Sequence, residues 1–152
     1  MRSLLYNRGM ENMNGIHGTV TNALLTGLDK PPKLLNPLVL AYIGDTVYDL
    51  FVRTSLIHTT DYTAHGLHRL SVSRVKASAQ AEAFHRIEGM LNEDELYIYK
   101  RGRNVHPHTM PKNASMGDYR VATGMEALIG YLYLSGADDR LTELMGYIIN
   151  DK

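Results

Sequence analysis

Two carboxylates and one run of bases stand out in this chain by type and position. Asp45 lies in Tyr42-Ile43-Gly44-Asp45-Thr46-Val47-Tyr48-Asp49-Leu50, and Glu126 lies in Gly124-Met125-Glu126-Ala127-Leu128-Ile129-Gly130. Both settings are apolar on most sides, where an acid carries a desolvation cost that a solvated helix carboxylate avoids. Glycines accompany both acids and allow a neighbouring backbone to approach closely, at some cost in helix propensity. Carboxylates converging from two packed helices in such a setting can hold a hard cation such as Mg²⁺. Asp49, one turn beyond Asp45, shares its face and is a candidate supporting ligand. The ordinary alternative for each acid is solvation or the capping of a helix.

The bases form the second constellation. Lys100, Arg101, Arg103 and Lys112 place four positive charges in thirteen positions with no acid among them. Asn104, His106, His108, Thr109 and Asn113 add hydrogen-bonding groups to the same stretch. Cations and amides beside Gly and Pro suit phosphate oxygens, a contact that fixes position and reads no base. The alternative is a solvated connector. His106-Pro107-His108 lacks further ligands at helical spacing, so a zinc site is set aside.

The elements that must carry these groups read as helices. Asn36-Pro37 is a start signal, with Asn as N-cap and Pro at the first helical position. Leu40, Ile43, Val47, Leu50 and Phe51 follow it as an apolar stripe. A second helical region runs from about Thr63 to Met90, with a break expected near Ser71 or Ser73 and a stop at Gly89. In it, Val75, Ala79, Ala83 and Ile87 recur every four residues. Asn92 with Glu95 has capping-box spacing and opens a helix ending near Arg101-Gly102. From Gly102 to Gly117 the chain reads as a long loop, the kind that is usually functional or disordered. Asp118 is the expected cap of the next helix, with Val121, Met125, Leu128, Ile129 and Leu132 on its apolar face and Gly136 ending it. Asp138 opens the last, with Leu141, Leu144, Met145 and Ile148 inward. No segment alternates with period two, so the fold class is all-α.

Residues 1–35 differ in texture, with four glycines and Pro31-Pro32. They read as an N-terminal extension of uncertain order, carrying at most a short helix around Val20, Leu24, Leu25 and Leu28. The domain proper is 36–152. A chain of 152 residues is long enough for a core without staples. It has no Cys, which excludes disulfides, thiolate nucleophiles and Cys-held zinc. No apolar run approaches a bilayer span and no secretory leader is evident, so a cytoplasmic location without a membrane partner is the expectation. Sixteen Lys plus Arg balance sixteen Asp plus Glu. That zero sum hides segregation: the bases gather at 100–112 and 53–86, and 138–152 is net acidic.

Residues 40–50, Leu-Ala-Tyr-Ile-Gly-Asp-Thr-Val-Tyr-Asp-Leu, resemble the signature of ribonuclease III catalytic domains, and 123–132 resemble that family's second motif, with Glu126 on its catalytic Glu. Closer still is the mini-ribonuclease III group, through Asn36–Asp45, Lys-Arg-Gly-Arg-Asn (100–104), Thr-Met-Pro-Lys-Asn (109–113) and Tyr-Arg-Val-Ala-Thr (119–123). The similarity spans about 36–150. It implies an all-helical endonuclease domain, a helical bundle forming a two-fold dimer, with no double-stranded-RNA-binding domain following. It further implies Mg²⁺-dependent cleavage of double-stranded RNA to 5′-phosphate ends, and trimming of precursor 23S ribosomal RNA. On this reading Asp45 and Glu126 are catalytic and hold the metal, with Asp49 as a further candidate. Lys100, Arg101, Arg103, Asn104, Lys112, Asn113 and Arg120 face RNA.

The sequence departs from the wider family at three acidic positions, which here are Leu38, Ala41 and Thr123. The competing reading is therefore a non-catalytic RNA-binding or ribosome-assembly protein on the same fold. Retention of Asp45 and Glu126 argues against it, because a pure binder of a polyanion gains nothing from acids in its site. A helical phosphohydrolase acting on nucleotides would need a His-Asp pair that the sequence lacks.

Overall fold

A computed structural model describes residues 15–24, 27–106, 109, 112 and 115–150. Within them are seven α-helices and no strand: α1 (Ile16–Leu24), α2 (Pro37–Thr59), α3 (Ala64–Val75), α4 (Ala77–His85), α5 (Glu93–Arg103), α6 (Met116–Leu134) and α7 (Asp138–Ile149). The all-α expectation holds. Short 3₁₀ turns at Pro32–Leu34 and Glu88–Met90 link the helices. None of the described helices is long and apolar enough to cross a membrane.

Helix α6 is the axis of the bundle. Ten of its residues are buried, from Ala122 through Tyr133, because α2, α4 and α5 surround it. Met125, Leu128, Ile129 and Leu132 enter the core as their spacing predicts, and Leu141, Leu144, Met145 and Ile148 of α7 do likewise. In α2 the stripe differs from expectation: Leu50 is exposed, and Val52 and Leu56 are buried instead. The helix runs on to Thr59, so its buried face follows Tyr48, Val52 and Leu56 at four-residue steps.

Local chemistry sets the helix ends. The Asn36 side chain accepts from the Leu38 N–H at 2.8 Å with Pro37 at the first helical position. Asn92 and Glu95 form the reciprocal capping box, at 2.9 Å each way. Glu95 is buried, and Arg140 donates to it through Nε at 2.8 Å and Nη2 at 3.0 Å. Burial pushes the Glu95 carboxyl up, but those hydrogen bonds, the capping N–H and the Arg140 charge hold it below the ordinary range.

Three boundaries fall elsewhere than expected. The break in the second helical region is at Lys76, which is extended (φ −66°, ψ 152°), and the helix after it stops at His85. α5 continues to Arg103, so Lys100, Arg101 and Arg103 sit on a helix end. α6 starts two residues before Asp118, because Ser115 accepts from the Asp118 N–H at 3.1 Å and is the cap. Gly136, at φ +67°, follows the end of α6 as expected.

The segment before α2 joins the bundle through several contacts, among them a Lys33–Asp94 ion pair. His17 of α1 meets Tyr133 edge-on, with ring centroids 5.2 Å apart. Arg101 donates to the Lys33 and Leu35 carbonyls at 2.8 and 3.0 Å, fixing the Pro32–Leu34 turn.

Candidate active site

Two glycines bring the acids together. A Cβ on Gly44 would lie 1.7 Å from the Glu126 carbonyl oxygen, and one on Gly130 would lie 1.9 Å from that of Leu40. Helices α2 and α6 therefore cross in backbone contact, a separation that no larger residue permits. Asp45 follows Gly44 and Glu126 is one turn before Gly130, so the crossing delivers both carboxyls to one place. The acids themselves differ from the expectation of shared burial. Asp45 is exposed and Glu126 is half-buried, because Asp45 lies on the outer side of α2.

Their electrostatics reflect the proximity. Burial and the Asp49 charge raise the Asp45 carboxyl above its ordinary value. Burial and then the Asp45 charge push Glu126 up to about 7, against a hydrogen bond from Gln80 that favours its ionised form. The Asp45 charge thus opposes ionisation of Glu126. Asp49 accepts from Arg53 Nε at 2.8 Å, so its own charge is already paired.

The three positions where acids are missing offer no replacement ligand. Leu38 is exposed, Ala41 is buried, and the Thr123 hydroxyl donates back to the Tyr119 carbonyl at 2.9 Å. Among the described residues no three His, Asp or Glu converge as a metal-binding group. The donor set is two neighbouring carboxylates whose charges are felt by one another, with solvent access on the Asp45 side. This suits a hard cation that keeps most of its waters and takes one or two protein carboxylates.

The bases divide. Lys100 and Lys112 are exposed. Arg103 lies over the Tyr99 ring at 5.7 Å, and Tyr99 stacks on Phe84 with centroids 4.0 Å apart. The Asn104 Oδ1 accepts from Arg103 Nε at 3.2 Å. Arg101, by contrast, turns its guanidinium to the carbonyls of 33 and 35 and over the Tyr97 ring. Arg120 is half-buried on α6, and its Nε has no partner among the described residues. Asn113 and His108 lie outside the described residues.

Sequence reasoning passed over Gln80 and Tyr48. Gln80 is 1% exposed, and its Nε2 donates to the Val75 carbonyl at 3.1 Å. The Tyr48 hydroxyl donates to the Arg74 carbonyl at 3.2 Å. Both bonds satisfy carbonyls that the end of α3 leaves open. The available signal was a lone amide in Ala77-Ser78-Ala79-Gln80-Ala81, on the face that also holds Ala83, Phe84 and Ile87.

An all-helical bundle with two coupled carboxylates at a glycine crossing and bases on an adjoining helix end defines a class of acid-centred helical nucleases. Similarity to known proteins makes the class specific. The sequence profile of the ribonuclease III domain matches residues 38–137. The mini-ribonuclease 3 of Clostridium tetani is 50% identical over 119 residues, covering 78% of this chain and 79% of that protein. That of Enterococcus faecalis is 44% identical, covering 77% and 90%. The crystal structure of a Fusobacterium nucleatum protein superposes with a TM-score of 0.69 at 27% identity, covering 76% of this chain and 93% of that one. The chain belongs to the ribonuclease III family, in its mini-ribonuclease III group.

Proposed function

We propose that this protein is a Mg²⁺-dependent endoribonuclease that cleaves double-stranded RNA and matures the ends of precursor 23S ribosomal RNA. The observation that carries the reading is the meeting of Asp45 and Glu126 at the Gly44–Gly130 crossing. Two acids pressed together against their own repulsion are poor structural elements and good ligands for a divalent cation. Asp45 and Glu126 would hold the ion, and Asp49 is near enough for its charge to raise the Asp45 carboxyl. When bound, such an ion supplies Lewis acidity toward the phosphate and makes water a nucleophile near neutral pH.

The chain's own groups do the rest. Without a cation, burial and the Asp45 charge hold the Glu126 carboxyl up at about 7, and a bound divalent ion would favour its ionised, ligating form. Hydrolysis adds water to phosphorus, breaks the bond to the 3′ oxygen, protonates that oxygen and leaves a 5′-phosphate. Lys100, Arg103 and Lys112 supply charge toward the duplex backbone, which is recognised by shape and phosphate position. The 23S precursor is the substrate that the resemblance to the mini-ribonuclease III group implies, and a cytoplasmic location goes with it. A two-fold homodimer would duplicate the site so that both strands are addressed.

A second reading, a non-catalytic RNA-binding or ribosome-assembly protein, is favoured by the Thr123 hydroxyl being tied into its own helix where the family has an acid. Incubation with long double-stranded RNA and Mg²⁺ separates the two. Wild type cuts, and Asp45→Asn and Glu126→Gln each lose roughly 10²-fold or more. Wild type that binds RNA without cutting supports the second reading, and cleavage undiminished in both variants removes these acids from the mechanism.

A further inference from the structure

Helix α1 lies ahead of the matched domain at 38–137, and it docks with its polar side inward. Ile16, Val20 and Leu24 share one face by their four-residue steps and are exposed, whereas His17, Gly18 and Thr21 are the side turned to the bundle. Little apolar burial therefore holds the helix. Nine residues are also too few for a helix that stands well by itself, so its order depends on a few contacts. They gather at Asp138, the first residue of α7. Gly15 turns at φ +112°, and its carbonyl accepts the Thr19 N–H at 3.0 Å, which makes it the cap of α1. A Cβ on Gly15 would lie 1.8 Å from the Asp138 Oδ2, so only glycine lets the carboxylate reach the start of α1. That end offers unpaired N–H groups and the positive end of the helix dipole. The Asp138 Oδ1 is buried without a hydrogen-bond partner among the described residues, a cost carried by the docked arrangement.

The second contact is titratable. The half-buried His17 ring meets Tyr133 of α6 edge-on, with centroids 5.2 Å apart, and the Thr21 hydroxyl lies 3.2 Å from its Nε2. The titratable side chains that face it are Tyr133 and, two residues' distance along the same contact, Asp138. We propose that α1 is a strap, latched to the α6–α7 corner through Asp138 and opened by protonation of His17. Burial disfavours the imidazolium and the Asp138 charge favours it; burial is the larger, so docking holds His17 below its ordinary value. A released His17 regains that ordinary value. Docking is therefore at full strength above it and weakens as the pH falls, about tenfold per pH unit, until the docked value is reached. With so few contacts to oppose it, a factor of that size shifts the strap from mostly docked to mostly released. The device involves neither acid of the Gly44–Gly130 crossing and goes beyond the cleavage reaction.

The chain has no cysteine, so a nitroxide attached through Asn22→Cys, on the exposed side of α1, reports the strap alone. In an otherwise unaltered chain the label should be immobile at about pH 8 and mobile at about pH 5, the range over which histidine changes charge. Near-ultraviolet dichroism of the tyrosines, followed in parallel, should show the bundle folded throughout. Gly15→Ala removes the latch: the label should be mobile at every pH, the melting of the bundle should persist, and the His17 titration seen by NMR should rise. His17→Phe keeps an aromatic ring on Tyr133 and has no proton to gain, so its label should stay immobile over the whole range. A label that ignores pH or tightens on acidification overturns the proposal. So does a pH response that survives His17→Phe, and so does a Gly15→Ala label as immobile at about pH 8 as that of the parent chain.

Discussion

Helix α6 is crossed twice through glycine, and the two crossings are built to different tolerances. At the α2 crossing the atoms facing Gly44 are the backbone carbonyl of Glu126, at 1.7 Å from a notional Cβ, and the amide of Gly130. At the α5 crossing Gly102 faces the Ala127 methyl at 2.8 Å and the Gly124 Cα at 3.0 Å. The first crossing positions acids that repel one another; the second positions the helix end that carries Lys100, Arg101 and Arg103. Repelling charges stay together only when the backbone beneath them cannot give way. Bases at a helix end that already have partners or solvent need no such constraint, and their crossing has more room.

Replacement of the glycines should expose that difference. Gly44→Ala gains about 1 kcal/mol in helix propensity, but its methyl meets a carbonyl that cannot rotate aside. The expected net loss is about 3 kcal/mol or more, or roughly 10 °C in melting temperature for a chain of this size, accompanied by loss of cleavage. Gly102→Ala should cost less, about 1–2 kcal/mol, and leave folded protein with its acids in place. Thermal unfolding of both variants checks the ranking. A Gly44→Ala protein as stable as Gly102→Ala would mean that the acid crossing has slack and that Asp45 and Glu126 are held by something else.

The contrast also marks what the sequence could disclose. The acid crossing was legible because both requirements leave a local trace: a carboxylate in an apolar helix, and glycine beside it. The Asn36 and Asn92 caps and the inward faces of α6 and α7 were legible for the same reason, since each is a short-range pattern. The break at Lys76 was not. It is a single residue turned extended, and it is secured by Tyr48 from another helix and by Gln80 through a carbonyl that no pattern announces. Gln80 escaped because its bond to the Val75 carbonyl exists only once the chain turns at Lys76. The burial of Asp45 was overestimated because the first half of α2 is apolar on most sides and does not show which apolar side faces out.

Arg101 provides the finest test of the comparison, because in sequence it is indistinguishable from its basic neighbours. Its fork is bonded to the carbonyls of Lys33 and Leu35, just ahead of the Asn36 cap that starts the acid-bearing helix. It therefore serves the acid side of the molecule from the basic side. Arg101→Ala should cost about 1.5–3 kcal/mol, the range for hydrogen bonds from a charged group, and leave the salt dependence of RNA binding nearly unchanged. Replacing Lys100, Arg103 and Lys112 together with Ala should do the reverse. Stability should shift little, while the log–log dependence of affinity on salt flattens by a little under one for each phosphate that is no longer neutralised. Melting curves and RNA titrations at several salt concentrations read both quantities on the same proteins. A larger fall in salt dependence for Arg101→Ala than for the triple variant would show that its guanidinium leaves those carbonyls for phosphate when RNA is bound, and the division between the two crossings would then fail at this residue.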